Sequence, residues 1–306
     1  MVEPTALVDA IAEAGGRFPG HRAAHAKGIV CAGTFSPSPR AKELTRAVHM
    51  QDEPSRITVR FSNGGANPES HDAKVQDGRG MAVKFYLPDG TTADIVGLSL
   101  PVFFVSTPED FLEFTLALAE SMEKLGEYVG AHPKTAQALQ QIVPRLVPPR
   151  SYATVTYNSI HAFRLENADG EKRTIRWRLV PEAGDEDVPE EEREGMDRDY
   201  LQEDILERME AGPVRFTLVA RLAEDGDVTD DATVAWPEER EQVEMGMLEI
   251  TGLETEREKG DDVMVMDPTR VTDGIECSDD PILHVRSHAY SVSVERRSGV
   301  PRPAAI

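Results

Sequence analysis

The sequence predicts an α+β fold: an antiparallel eight-stranded β-barrel with inserted and C-terminal helices. Three observations carry this expectation. Two sets of four segments have strand character, a helical pair lies between the sets, and no internal repeat or low-complexity linker divides the chain. Closing the strands on themselves removes exposed edges. The length of 306 residues is ample for one buried core.

Thr5 to Ala14 carries Leu7, Ile11 and Ala14 at helical spacing, and Gly15-Gly16 supplies a stop. Strand character follows in Lys27 to Phe35, Arg56 to Phe61, Met81 to Leu87 and Pro101 to Val105, separated by turns such as Asn63-Gly64-Gly65 and Pro88-Asp89-Gly90. Pro108 to Leu125 repeats Phe111, Leu112, Leu116, Leu118 and Met122 at three- and four-residue intervals behind a Thr107 cap, which predicts one amphipathic helix. A second helix is expected over Thr135 to Val143, before the Val147-Pro148-Pro149 break. The strand signal returns in Tyr152 to Arg164, Thr174 to Val180, Val214 to Leu222 and Val243 to Ile250. The acidic run between Glu182 and Asp199 reads as a solvated face ahead of an amphipathic segment, Tyr200 to Met209. Gly260 to Asp273 lacks periodicity and reads as a long surface connection. The last helix starts at Ser278-Asp279-Asp280-Pro281, where a side-chain cap and an N-terminal proline coincide, and runs to about Arg297, before Gly299 and Pro301.

Charge excludes one class of partner. Acidic residues outnumber basic ones 55 to 33, the net charge is −22, and no Lys/Arg cluster forms a phosphate-binding footprint, so nucleic acid is not expected. No apolar run is long enough to span a bilayer and the first residues lack a basic and an apolar region, so no membrane association and a cytoplasmic location are expected. Cys31 and Cys277 stand far apart and read as reduced, buried thiols.

On the final helix, Arg286, Tyr290 and Arg297 are four and seven residues apart and share one face. A cation one turn from a phenol favours the phenolate, and a phenolate can be an axial ligand of ferric haem. Taken alone, an Arg-Tyr pair at this spacing is more often a packing pair.

The pair does not stand alone. Arg22-Ala23-Ala24-His25-Ala26-Lys27-Gly28 resembles the motif around the distal histidine of haem catalases, and Arg286-Ser287-His288-Ala289-Tyr290 resembles their proximal motif. Between them, in the order found in that family, stand Val59-Arg60-Phe61-Ser62, Gly78-Arg79-Gly80-Met81-Ala82-Val83-Lys84-Phe85-Tyr86, Asp94-Ile95-Val96-Gly97, Pro101-Val102-Phe103-Phe104 and Ser159-Ile160-His161-Ala162-Phe163. The resemblance covers about residues 18 to 300 and is similar in pattern to the catalase-related peroxidases.

The resemblance implies a haem-catalase-like barrel, haem b (heme b) with Tyr290 as the iron's axial ligand, and hydrogen peroxide or an organic hydroperoxide as oxidant, with a small organic reductant. It places His25 on the catalytic distal histidine, Ser62 on the serine that orients it, and Arg286 beside the ligand. Arg22, Arg60 and Arg297 fall on the propionate-binding arginines, a task that suits guanidinium forks. Phe111 falls over the distal pocket, and Val102 and Phe104 lie in the segment that lines it. His25 is expected to take a proton from peroxide and return it to the departing oxygen.

Two departures qualify the resemblance. Where catalases carry two asparagines after the Val-Gly, this chain has Leu98 and Ser99, which puts peroxide disproportionation in doubt and leaves Ser99 as the expected, weaker peroxide contact. The family's threading arm, wrapping segment and C-terminal helical domain have no counterpart in residues 1–306, so a single domain, a more open pocket and a smaller oligomer such as a homodimer are expected. Two rival functions are a hydroperoxide isomerase resembling allene oxide synthases, in which a threonine precedes the distal histidine where Ala24 stands here, and a non-catalytic haem-binding barrel. His161, His284 and His288 are read as packing or exposed residues, and Met245 and Met247 as core.

Overall fold

A computed structural model describes residues 2–256, 260–261 and 263–299. The helices are α1 (Pro4–Gly15), α2 (Ala41–Leu44), α3 (Pro108–Glu120), α4 (Met122–Ala131), α5 (Pro133–Ile142), α6 (Glu190–Arg193), α7 (Tyr200–Ala211) and α8 (Pro281–Ser298). The strands are β1 (Gly28–Pro37), β2 (Ser55–Asn63), β3 (Arg79–Tyr86), β4 (Thr92–Leu98), β5 (Tyr157–Asn158), β6 (Phe163–Glu166), β7 (Lys172–Pro181), β8 (Val214–Leu222), β9 (Gln242–Leu253) and β10 (Ile275–Cys277). All pairings are antiparallel, and β1-β2-β3-β4-β5-β7-β8-β9 closes back onto β1 as an eight-stranded barrel. β6 and β10 extend the sheet beside β7.

Strand periodicity separates the barrel core from the site. Along β2, Ile57, Val59 and Phe61 are fully buried, and Phe61 meets Tyr152, Tyr157 and Phe216, which come from the far side of the barrel. The alternate residues Thr58, Arg60 and Ser62 therefore project from the outer face. The same alternation on β3 puts Met81, Val83 and Phe85 with the core and Gly80 and Ala82 on the outer face. β4 continues the pattern with Val96 and Leu98 outward. Helices α1, α3 and α8 pack on one another beside this outer face and make the other wall of a cavity.

Several boundaries differ from the sequence expectation. The fourth strand is Thr92–Leu98, while 101–105 is irregular, because Pro101 offers no ladder N–H and Phe103 N–H is bonded to Ala232 O instead. The single helix expected over 108–125 breaks at Ser121, whose extended backbone (φ −171°) ends α3 and whose Oγ caps α4 through Lys124 N–H. The expected strand 152–164 divides into a 3₁₀ turn at Tyr152–Thr154, β5 and β6. The stretch 260–273 is no simple surface connection, since Met264, Met266 and Asp267 are buried. Thr107 and Asp280 cap α3 and α8 as expected, and Gly299 ends α8 at φ 67°; Pro301 lies outside the described residues.

Cys31 is buried and Cys277 half-buried, both as free thiols. No helix among the described residues is long and apolar enough to cross a membrane.

Candidate active site

A cavity of about 450 Å³ lies between the outer face of β2–β4 and the helices α1, α3 and α8. Nine of the ten expected site residues line it: Arg22, His25, Arg60, Ser62, Phe104, Phe111, Arg286, Tyr290 and Arg297.

His25 sits just before β1 with φ 54°, the one described non-glycine residue in the left-handed region. Such a backbone is costly and is kept where the surroundings enforce it. Here its N–H is tied to Gly64 O and the next residue's to Gly65 O. The ring is held through Nδ1 by Ser62 Oγ at 3.0 Å. Gly80 makes the room: a Cβ there would lie 2.9 Å from Ser62 Oγ and 3.0 Å from the His25 ring. Burial, followed by the positive charges of Arg60, Arg286, Arg22 and Arg79, pushes the His25 pKa down to about 3, so the imidazole is neutral near pH 7.

Opposite elements supply a phenol. On α8, Arg286 donates to the Tyr290 hydroxyl oxygen through Nε at 2.9 Å and Nη2 at 2.5 Å. Its Nη1 donates to His161 Nε2 at 3.0 Å, and His161 Nδ1 donates to Asp280 Oδ2 at 2.7 Å. Burial, opposed by the Asp280 hydrogen bond and reinforced by Arg286, lowers the His161 pKa to about 4. His161 is therefore neutral, and its contact with Asp280 is a hydrogen bond rather than an ion pair. From sequence this histidine reads only as a packing or exposed residue; its position in the Ser159-to-Phe163 motif is the available signal.

The arginines gather at one end. Arg22 and Arg297 each donate to Met264 O at 2.7 Å, and Arg22 and Arg60 share the Asp261 carboxylate. Gly28 lies under the Arg60 guanidinium, where a Cβ would come within 2.7 Å of Nη2.

Two residues named with the expected pocket stand back from the cavity wall. Ser99 does not line the cavity: its Oγ accepts Arg79 N–H at 2.9 Å and its N–H is bonded to Arg79 O. Leu98 faces the cavity instead, because it shares its strand face with Val96. Val102 is fully buried in a side cluster with Leu100, Ala138 and Ile142, whereas its neighbour Phe104 does reach the cavity.

The catalase family model matches residues 2–302. The chain belongs to the catalase family. It is 41% identical over 304 residues to a catalase-related peroxidase of Mycolicibacterium paratuberculosis, covering 98% of this chain and 96% of that one. It is 30% identical to a catalase-related peroxidase of Synechococcus elongatus, covering 97% and 89%. Catalase-2 of Bacillus subtilis is 28% identical, and the match covers 92% of this chain but 44% of that protein. The crystal structure of a fungal catalase superposes with a TM-score of 0.82 at 23% identity, covering 93% of this chain and 60% of that one, so the barrel is the family's. Membership makes the protein an oxidoreductase that acts on peroxide, and implies haem.

The residues fit that group. A macrocycle with apolar faces and two carboxylates needs apolar walls and cations at one end; Val96, Leu98, Phe104 and Phe111 supply the walls, and Arg22, Arg60 and Arg297 the cations. The cavity also carries one neutral imidazole and one phenol oxygen held by a guanidinium, the groups that acid–base chemistry and iron ligation require.

Proposed function

We propose that the protein is a haem b peroxidase that reduces hydrogen peroxide or an organic hydroperoxide with electrons from a small organic donor, with little peroxide disproportionation. One observation carries this reading: His25, neutral and oriented by Ser62, lines the same cavity as Tyr290, whose oxygen is held by Arg286. Tyr290 would ligate the iron, while Arg22, Arg60 and Arg297 would hold the propionates. When bound, the haem supplies the redox chemistry, passing two electrons to the peroxide.

The chain's own residues manage the protons. Ser62 occupies His25 Nδ1, and Nε2 has no hydrogen-bond partner among the described residues, so it is the nitrogen left for substrate. His25 would take the proton from one peroxide oxygen and deliver it to the other, which leaves as water or an alcohol. Two electrons and two protons from the donor complete the balance, the remaining oxygen leaving as water. Leu98 offers no amide to hold a second peroxide molecule, which favours the organic donor over disproportionation.

The visible spectrum tests this. The purified protein should show a Soret band that shifts on adding peroxide and returns when a phenolic donor is added. His25→Ala should keep the band and lose turnover by about 10³-fold, within the usual range for a general acid–base group. Failure to acquire a Soret band even after haem addition sinks the haem assignment. Product analysis with a fatty-acid hydroperoxide distinguishes reduction to the alcohol from isomerisation.

A further inference from the structure

Arg22 and Arg60, the two guanidiniums assigned to cofactor carboxylates, are bridged by a carboxylate of the chain itself. Asp261 Oδ1 accepts Arg60 Nε at 2.5 Å and Oδ2 accepts Arg60 Nη2 at 3.0 Å, so the fork is engaged by both oxygens. Arg22 adds Nη2 at 2.9 Å and Nε at 3.3 Å to Oδ1. A bidentate fork of this kind is the geometry by which arginine recognises a propionate. The Arg60 side chain is 4% exposed and that of Asp261 38%, so the carboxylate can withdraw to water while the guanidinium cannot. Although burial alone would raise it, the charges and hydrogen bonds of Arg60 and Arg22 hold the Asp261 pKa at about 2, so the group is an anion at neutral pH.

We propose that Asp261 is an internal counter-anion that competes with a cofactor carboxylate for the forks of Arg22 and Arg60 and thereby weakens the chain's hold on the cofactor. This rests on the haem reading above. Two carboxylates on the same N–H groups would repel, and because Arg60 Nη2 also bonds His25 O and Arg22 Nη2 also bonds Met264 O, each guanidinium has one complete fork, its Nε–Nη2 edge, and Asp261 lies on both. Seating the propionate therefore displaces Asp261. A carboxylate that served only to hold the arginines in position would have the opposite effect, since its removal would loosen the cofactor.

The test is the rate of haem transfer from the holoprotein to an excess of a haem-scavenging apoglobin, followed by the Soret change, in wild type and Asp261→Asn. Slower release from Asp261→Asn, by about tenfold, the scale of one charge-assisted hydrogen bond to the propionate, supports competition. A second variant, Asp261→Ala, should slow release similarly and keeps the test valid if asparagine packs poorly; thermal melts check that both are folded. With haem dimethyl ester in the site, which has no free carboxylates, wild type and variants should release at equal rates. Unchanged or faster haem loss from both variants overturns the proposal, as does an equal slowing with the ester. If no form of the protein acquires a Soret band, the haem reading fails and the proposal with it; a normal band with unaltered release rates removes the proposal alone.

Discussion

Arg286 Nη1 donates to His161 Nε2 at 3.0 Å, joining residues 125 positions apart in the chain. The contact completes a line from the Tyr290 oxygen through Arg286 and His161 to Asp280, the residue whose Oδ1 also caps α8. One aspartate therefore both starts the helix and orients the histidine that steadies the arginine at the phenol.

Replacing His161 with phenylalanine removes the acceptor for Arg286 and leaves buried Asp280 Oδ2 without its donor. A loss of about 2–3 kcal/mol is expected in urea unfolding, together with a shift of the haem absorption bands. His161→Gln, whose amide can both donate and accept, should restore the bands in part. Lost stability with unaltered bands would show that the contact only packs the helix.

Gly80→Ala places a methyl group where Ser62 Oγ and the His25 ring already stand, at 2.9 and 3.0 Å. The backbone of β3 is held on both sides by β2 and β4, so the ring must yield. Turnover should fall by about 10²-fold, the scale of one misplaced catalytic group, while haem content is retained. Turnover near the wild-type rate would mean the ring's position is not set by this contact.

Leu98 and Ser99 make opposite predictions. Leu98→Asn introduces an amide at the cavity wall and should raise oxygen evolution from hydrogen peroxide relative to donor oxidation. Ser99→Ala removes an acceptor from Arg79 N–H outside the cavity and should leave the KM for peroxide unchanged while costing about 1 kcal/mol of stability. Oxygen-electrode and donor-oxidation assays on the two variants decide between these positions.

Acid sensitivity follows from three histidines held neutral, His49 and His161 buried in the fold and His25 at the cavity wall. His25 is held at about 3 by burial and surrounding arginines, His49 at about 4 by burial, and His161 at about 4 by burial against the Asp280 hydrogen bond. In the unfolded chain each titrates near 6.5. Between pH 6.5 and about 4 the unfolded state binds more protons, so stability falls as pH falls, by about 1.4 kcal/mol per pH unit per histidine. The carboxylates of Asp261 and Asp199, held at about 2, add a second loss below their ordinary range. Urea midpoints from pH 7 to pH 4.5 check the slope. His49→Leu should reduce that slope by about one proton, because His49 Nδ1 has no partner among the described residues to sacrifice.

The barrel was legible because most of its long strands carry a local alternation of apolar and polar residue types: Ile57, Val59 and Phe61 between Thr58, Arg60 and Ser62 announce β2 without reference to any partner. The helix caps were legible for the same reason, since Thr107 and Asp280 act within three residues of themselves. β5 was not, because two residues carry no period, and the break at Ser121 was hidden beneath an apolar repeat that runs through it. Among site residues, His25, Ser62, Tyr290 and the arginines were found through ordered motifs. His161 and Asp261 were not assigned, because each acts through partners more than a hundred residues away.

By itself the sequence determined the barrel, the capped final helix with Arg286 and Tyr290 on one face, and the set of groups available for peroxide chemistry. The first two depend on short-range spacing and side-chain chemistry; the third is what the ordered motifs of the catalase resemblance imply. Only the tertiary structure decided which residue faces the cavity, Leu98 and not Ser99, which histidine supports Arg286, and which carboxylate lies on the forks of Arg22 and Arg60. The reason is physical. A one-residue step along a strand reverses the face a side chain presents, and a hydrogen bond between distant segments is set by how closed strands and packed helices bring them together.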